Sequence, residues 1–213
     1  ESILKELQVL ITQSKAIRFE GNGYGEEWVK EAKKRGLSNL KNTPEALKVW
    51  GRKEVIDLFD KMKVLHPAET EARQDVEYEK YVMHRQIEAN IAIDMARNTI
   101  LPAAISYQNI LLENIMGIEE TFGKEGKTMT IAQRDILKRT SALINDLYAS
   151  IKTLREHKEK VNARKSTEKI AEGYGSIITP ITEELGEICT RMEGLIDNEI
   201  WPLPKFQELL FTR

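Results

Sequence analysis

The chain has 213 residues, enough for one domain or two and for a sizeable hydrophobic core. Lys and Arg number 32 against 34 for Asp and Glu, and this near balance excludes a basic footprint for nucleic acid or for an anionic membrane surface. The single cysteine, Cys189, excludes an intramolecular disulfide framework and a Cys-rich zinc site and fits a reducing compartment, so a cytoplasmic location is expected. Glu, Lys, Leu, Ala and Arg supply 94 of the 213 residues, the composition of long helices. The longest uncharged run, between Arg97 and Glu113, contains Asn98, Pro102, Ser106, Gln108 and Asn109, and is too short and too polar to span a bilayer. Glu1 leads into an amphipathic pattern rather than a signal peptide, so the chain is expected to begin inside a longer protein.

From residue 1 to about 65 the elements are short and turn residues dense. Leu4, Leu7, Leu10 and Ile11 predict an amphipathic helix over about 2–15, and Ile17 to Phe19 a brief extended piece. Glu26 and Glu27 open a helix that runs to Arg35, with Lys33, Lys34 and Arg35 at its C-terminal end and Gly36 as its stop. Thr43-Pro44 reads as an N-cap with Pro at the first helical position. Gly51 then interrupts this helix before a second piece, Lys53 to Val64.

From Pro67 onward no strong breaker occurs until Pro102. Val76, Met83 and Ile91 form one stripe with Tyr78, Tyr81 and Val82 beside it, and Ile105, Leu112, Ile115 and Phe122 continue it beyond Pro102. A helix over 68–121 would span roughly 80 Å, kinked rather than ended by Pro102. The turn Gly123 to Lys127 follows, then a helix over about 129–161 marked by Leu143, Leu147, Ile151 and Leu154. A third stripe, Ile170, Tyr174, Ile177, Ile181, Leu185, Ile188, Met192 and Leu195, marks a helix over 166–199 with weak caps near Ser166. The tail Trp201-Pro202-Leu203-Pro204, with Phe206, Leu209, Leu210 and Phe211, is apolar and is expected to fold back, preferentially onto residues 1–65. The predicted fold is therefore all-α, an antiparallel bundle of long helices over 66–213 with a shorter-helix N-terminal portion over 1–65.

Few residues carry chemistry. Gly21-Asn22-Gly23-Tyr24-Gly25 precedes a helix N-terminus, where phosphate loops occur, but position 26 is Glu and two carboxylates open the helix, so a backbone turn needing positive φ is favoured. His66, His84 and His157 begin or end no Glu-x-x-His pair, which disfavours a di-iron bundle. His84 is four residues from Glu88 and can pair with it on a helix face. Cys189, beside the third stripe, reads as a small buried hydrophobe. Arg85, Glu88, Asn90, Asp94, Arg97 and Asn98 form a dense polar series that is either a solvated face laced with ion pairs or a partner-facing surface. No catalytic, cofactor-binding or metal-ligating residue is assigned.

Several strings are more specific. Phe19-Glu20-Gly21-Asn22-Gly23-Tyr24-Gly25-Glu26-Glu27-Trp28 and Glu31 through Leu40 resemble the post-catalytic segment of type III glutamine synthetases. So do Glu45-Ala46-Leu47, Leu58-Phe59, Glu79-Lys80-Tyr81, Ile87-Glu88-Ala89, Ile100 through Ala104, and the ending from Trp201 to Phe211. The family pattern often has Asn and Ser where this chain has Glu20 and Gly25, a change that weakens an N-cap.

The resemblance implies a C-terminal fragment of an enzyme that joins ammonia to glutamate with ATP and Mg or Mn. The metal, nucleotide and glutamate ligands of such enzymes lie upstream, so the fragment itself is expected to hold no cofactor and to be inactive alone. Its implied partners are the rest of the catalytic domain and further copies in a double-ring homo-oligomer, with neither nucleic acid nor membrane. Residues 1–65 would complete the catalytic domain and 66–213 would add a helical subdomain. A stand-alone helical interaction or sensor module is the alternative from another class.

Overall fold

The computed structural model describes residues 2–211, except the side chains of residues 2, 206 and 207. The chain is 77% helical and, among the described residues, has no strand; the fold is all-α. Residues 1–41 and 42–213 form two compact units, whereas the texture of the sequence changes near residue 65.

In the first unit α1 (Ser2–Gln13) runs into a 3-10 turn, Ser14–Ile17, and α2 (Glu26–Lys34) follows a loop. The extended piece expected at Ile17 to Phe19 forms no strand. The 3-10 turn takes Ile17, and Arg18, although extended, gives its carbonyl to the Arg35 guanidinium (3.3 Å) rather than to a neighbouring strand. The end of α2 is as predicted: Gly36 adopts φ +78°, which lets the Leu37 N–H reach the Ala32 carbonyl at 2.9 Å.

The second unit opens with α3 (Thr43–Leu47) and α4 (Lys53–Lys61). The cap of α3 is Asn42, whose Oδ1 accepts from the Glu45 N–H at 2.9 Å, so Thr43 and Pro44 both lie inside the first turn. The long helix begins as α5 (Pro67–Met95), where the His66 N–H donates to Glu69 Oε2 at 2.7 Å. It passes through a π turn, Ala96–Ile100, into α6 (Leu101–Phe122). A one-turn helix, α7 (Gly126–Met129), precedes α8 (Ile131–Asn162). The third long element is α9 (Thr167–Gly173), a second π turn (Tyr174–Ile178) and α10 (Thr179–Glu193), ending six residues before the predicted limit; α11 (Phe206–Leu209) is a single turn near the C-terminus. Ser166 does cap α9, accepting from the Lys169 N–H at 3.3 Å.

Both π turns have the same cause. Pro102 and Pro180 each lie two residues past the end of a π turn. Proline lacks the N–H that would bond the carbonyl four residues back, and its ring crowds that carbonyl. In each case the crowded carbonyl, of Asn98 or of Ser176, lies within the wider turn, which keeps the helix continuous. The helix thus continues past Pro102 as expected, through a change of register, and the counterpart at Pro180 lies inside a stripe that looked unbroken.

α8 packs against both α6 and α10, and α5 packs against α9 and α10. The core joins Tyr78, Val82, Ala89 and Ala96 of the first long element to Leu147, Ile151 and Leu154 of α8, and to Tyr174, Ile178, Leu185, Ile188 and Met192 of the third. The second and third stripes therefore face the core as predicted, with Leu143, Ile170, Ile177, Ile181 and Leu195 half-buried and the rest buried. The first does not: Val76, Met83 and Ile91 are 46%, 50% and 52% exposed, and the set beside them, Tyr78 and Val82 with Ala89, faces the core. Farther along, Ile115 is buried while Ile105, Leu112 and Phe122 stay exposed. The long helix is apolar on two faces, and only one is covered.

The tail also divides. Trp201 is buried and Leu203 half-buried against this same core, and the Lys205 ammonium donates to the Glu193 and Ile196 carbonyls at 2.8 and 2.9 Å, closing the end of α10. Leu209, Leu210 and Phe211 remain exposed; the Phe206 side chain lies outside the described residues. The first half of the tail thus packs on the core of the long helices within the second unit, whereas the expectation placed it preferentially on residues 1–65.

Candidate functional site

The glycine-rich loop is built on an aromatic anchor. Phe19 and Trp28 meet at 4.8 Å between ring centroids, tilted by 41°, and the Arg35 guanidinium stands 5.8 Å from the Trp28 ring. Arg35 Nε also bonds Glu31 at 2.7 Å, and this bond holds the Glu31 carboxyl below its ordinary pKa. Within the loop, Asn22 accepts twice: its Oδ1 from the Tyr24 N–H and its carbonyl from the Gly25 N–H, both at 3.0 Å. None of the loop glycines has positive φ, contrary to expectation. Gly21 instead lies close under an aromatic ring: a Cβ there would come 2.6 Å from Phe19, so the ring would have to shift to admit it. Tyr24 stands fully exposed at the tip.

Two of the loop's amides are thus spent within it, and Glu26 and Glu27 occupy the first turn of α2. The arrangement repels a phosphate rather than cradling one.

The polar series on the long helix separates into parts. Arg85 pairs with Glu88 at 2.6 Å, and Asn98 donates to Asp94 at 2.6 Å. Asn90 accepts from the Lys158 ammonium of α8. Arg97, in the π turn, instead lines a groove shared with Tyr148, Lys152 and Arg155 of α8. These α8 residues were missed at the sequence level, although their spacing of four and three places them on one helix face.

Of the two partners open to Glu88, the structure pairs it with Arg85 rather than His84, and His157 Nδ1 lies 2.9 Å from the Thr153 carbonyl. Cys189 is half-buried against the core, and burial pushes its thiol pKa up, away from thiolate chemistry. Among the described residues no group of three or more His, Cys, Asp or Glu side chains is placed to hold a metal ion. No described helix is long and apolar enough to cross a membrane.

Residues 2–119 match the family model described as glutamine synthetase C-terminal domain. The chain belongs to this family. Over its whole length it is 36% identical to a glutamine synthetase of Bacteroides fragilis, of which it covers 29%. It is 27% identical to the type-3 glutamine synthetase of Dictyostelium discoideum, covering 31%, and 26% identical to a glutamine synthetase of Butyrivibrio fibrisolvens, covering 30%. The chain thus spans about three-tenths of the length of these relatives, matching their C-terminal part. The nucleotide and divalent metals that the family implies do not fit the residues described: the glycine-rich loop leads into a helix turn that carries two carboxylates, and among the described residues no group of three or more His, Cys, Asp or Glu side chains is placed for a metal.

Proposed function

We propose that the chain is a structural, non-catalytic C-terminal part of a glutamine synthetase whose full-length form ligates ammonia to glutamate with ATP, giving glutamine, ADP and phosphate. The observation that carries this reading is the whole-chain match to only 29–31% of each relative. ATP and Mg or Mn belong to the upstream part, residues 1–65 complete the catalytic domain, and 66–213 add a helical subdomain to a cytoplasmic double-ring homo-oligomer.

The surface of α1 supports the reading. Ile3, Leu4, Leu7, Leu10 and Ile11 are all exposed, an apolar helix with no cover of its own. The upstream part of the parent supplies that cover.

Calorimetry with Mg-ATP on the 213-residue chain tests the division of labour. No tight binding and no glutamine formation are expected from the chain alone, and co-expression with the upstream part should restore both. Saturable low-micromolar ATP binding by the chain alone would overturn the proposal.

A further inference from the structure

We propose that the groove between the first π turn and α8 binds a small organic anion, a phosphate or carboxylate carried on a flat apolar body. The groove has a volume of about 360 Å³, within the range of small-molecule sites. The π turn contributes Arg97 to its wall. From α8 come Lys152 and Arg155, so three cations line one groove. Neither Arg97 nor Arg155 has a carboxylate within ion-pair distance among the described residues, and Lys152 has only a loose contact with Glu156 at 3.9 Å.

Two guanidinium groups that line one groove without a carboxylate partner among the described residues are available to an anion bound there, and a phosphate or carboxylate matches the fork of each. The floor is apolar, formed by buried Ile151 and half-buried Leu101, and the largely exposed Tyr148 ring offers a flat side wall. This floor selects an anion with an apolar ring over a bare inorganic ion. Glu156 and Glu159 complete the lining and leave an excess of one positive charge. The site therefore suits a small anion rather than a polyanion, and its affinity falls with salt.

The test is a titration of the full chain followed by amide NMR, with phenyl phosphate, benzoate and inorganic phosphate as probes. Phenyl phosphate should shift the amides of Arg97, Leu101, Tyr148 and Ile151 saturably. Arg97→Ala and Arg155→Ala should each weaken binding about tenfold, whereas Glu159→Gln should tighten it, a pair of opposite effects that loss of packing does not produce. Tyr148→Ala should weaken phenyl phosphate and spare inorganic phosphate. Benzoate binding as tightly as phenyl phosphate would assign a carboxylate ligand, and weaker binding a phosphate. Because the substituted side chains are exposed, melting temperatures should stay unchanged. No saturable shift at these residues with either aromatic probe, or titrations unaltered by both arginine substitutions, would overturn the proposal.

Discussion

The hydroxyl of Tyr174 donates to Asn162 Oδ1 at 2.9 Å, and the same oxygen accepts from Gln86 Nε2 at 3.3 Å. One carbonyl oxygen at the end of α8 thereby ties α5 to the second π turn, with the Tyr174 ring wholly buried. Tyr174→Phe keeps the ring and leaves Asn162 one donor, so a loss of only about 1 kcal/mol is expected in urea unfolding. Tyr174→Ala, which also empties the space, should cost about 3–5 kcal/mol.

Burial raises the pKa of both Tyr174 and Tyr78, because a phenolate in the core is poorly solvated. A group whose folded pKa is raised contributes stability that is complete below its unfolded value and is lost as pH climbs toward the folded one. The unfolding free energy should therefore be insensitive to these groups near neutrality and decline above a pH of about 10. In Tyr174→Phe the decline should be shallower; an identical slope would place the alkaline sensitivity elsewhere.

Trp201 is the point at which the tail is fastened, and its Nε1–H is buried without a partner among the described residues. Trp201→Ala should cost about 3–5 kcal/mol and lower the melting temperature of the isolated chain. Phe211, exposed at the far end of the same tail, should tolerate Ala within about 0.5 kcal/mol. Equal melting temperatures for Trp201→Ala and the parent chain would contradict internal docking.

The glycines separate by what surrounds them. A Cβ on Gly126 would lie 2.7 Å from Glu119 Cα and 2.8 Å from the Ile118 carbonyl, both backbone atoms that cannot step aside. Gly126→Ala should destabilise by about 1–3 kcal/mol. Gly117 and Gly186 lie inside α6 and α10 with nothing within 4 Å of the added carbon, so Ala there should stabilise by about 0.5–1 kcal/mol. Thermal melts of the three variants check both signs.

The all-α class, the two long stripes of α8 and of the third element, and the Gly36 stop were all legible in the residues, because each follows from local periodicity or from a single backbone requirement. The family strings from Phe19 to Leu40 were legible too, and they led to the same family as the comparison with known proteins. What could not be read was which face of the long helix is covered. Val76, Met83 and Ile91 present as good an apolar line as Tyr78, Val82 and Ala89, and α9 and α10 pack on only one of them. The groove cations were hidden for a related reason. Arg97 is one polar residue among six in its series, and Arg155 lies on another helix more than fifty residues away. Periodicity along a helix determines which residues share a face, but only the packing of separate helices decides which faces meet, since that choice depends on long-range shape and not on local sequence.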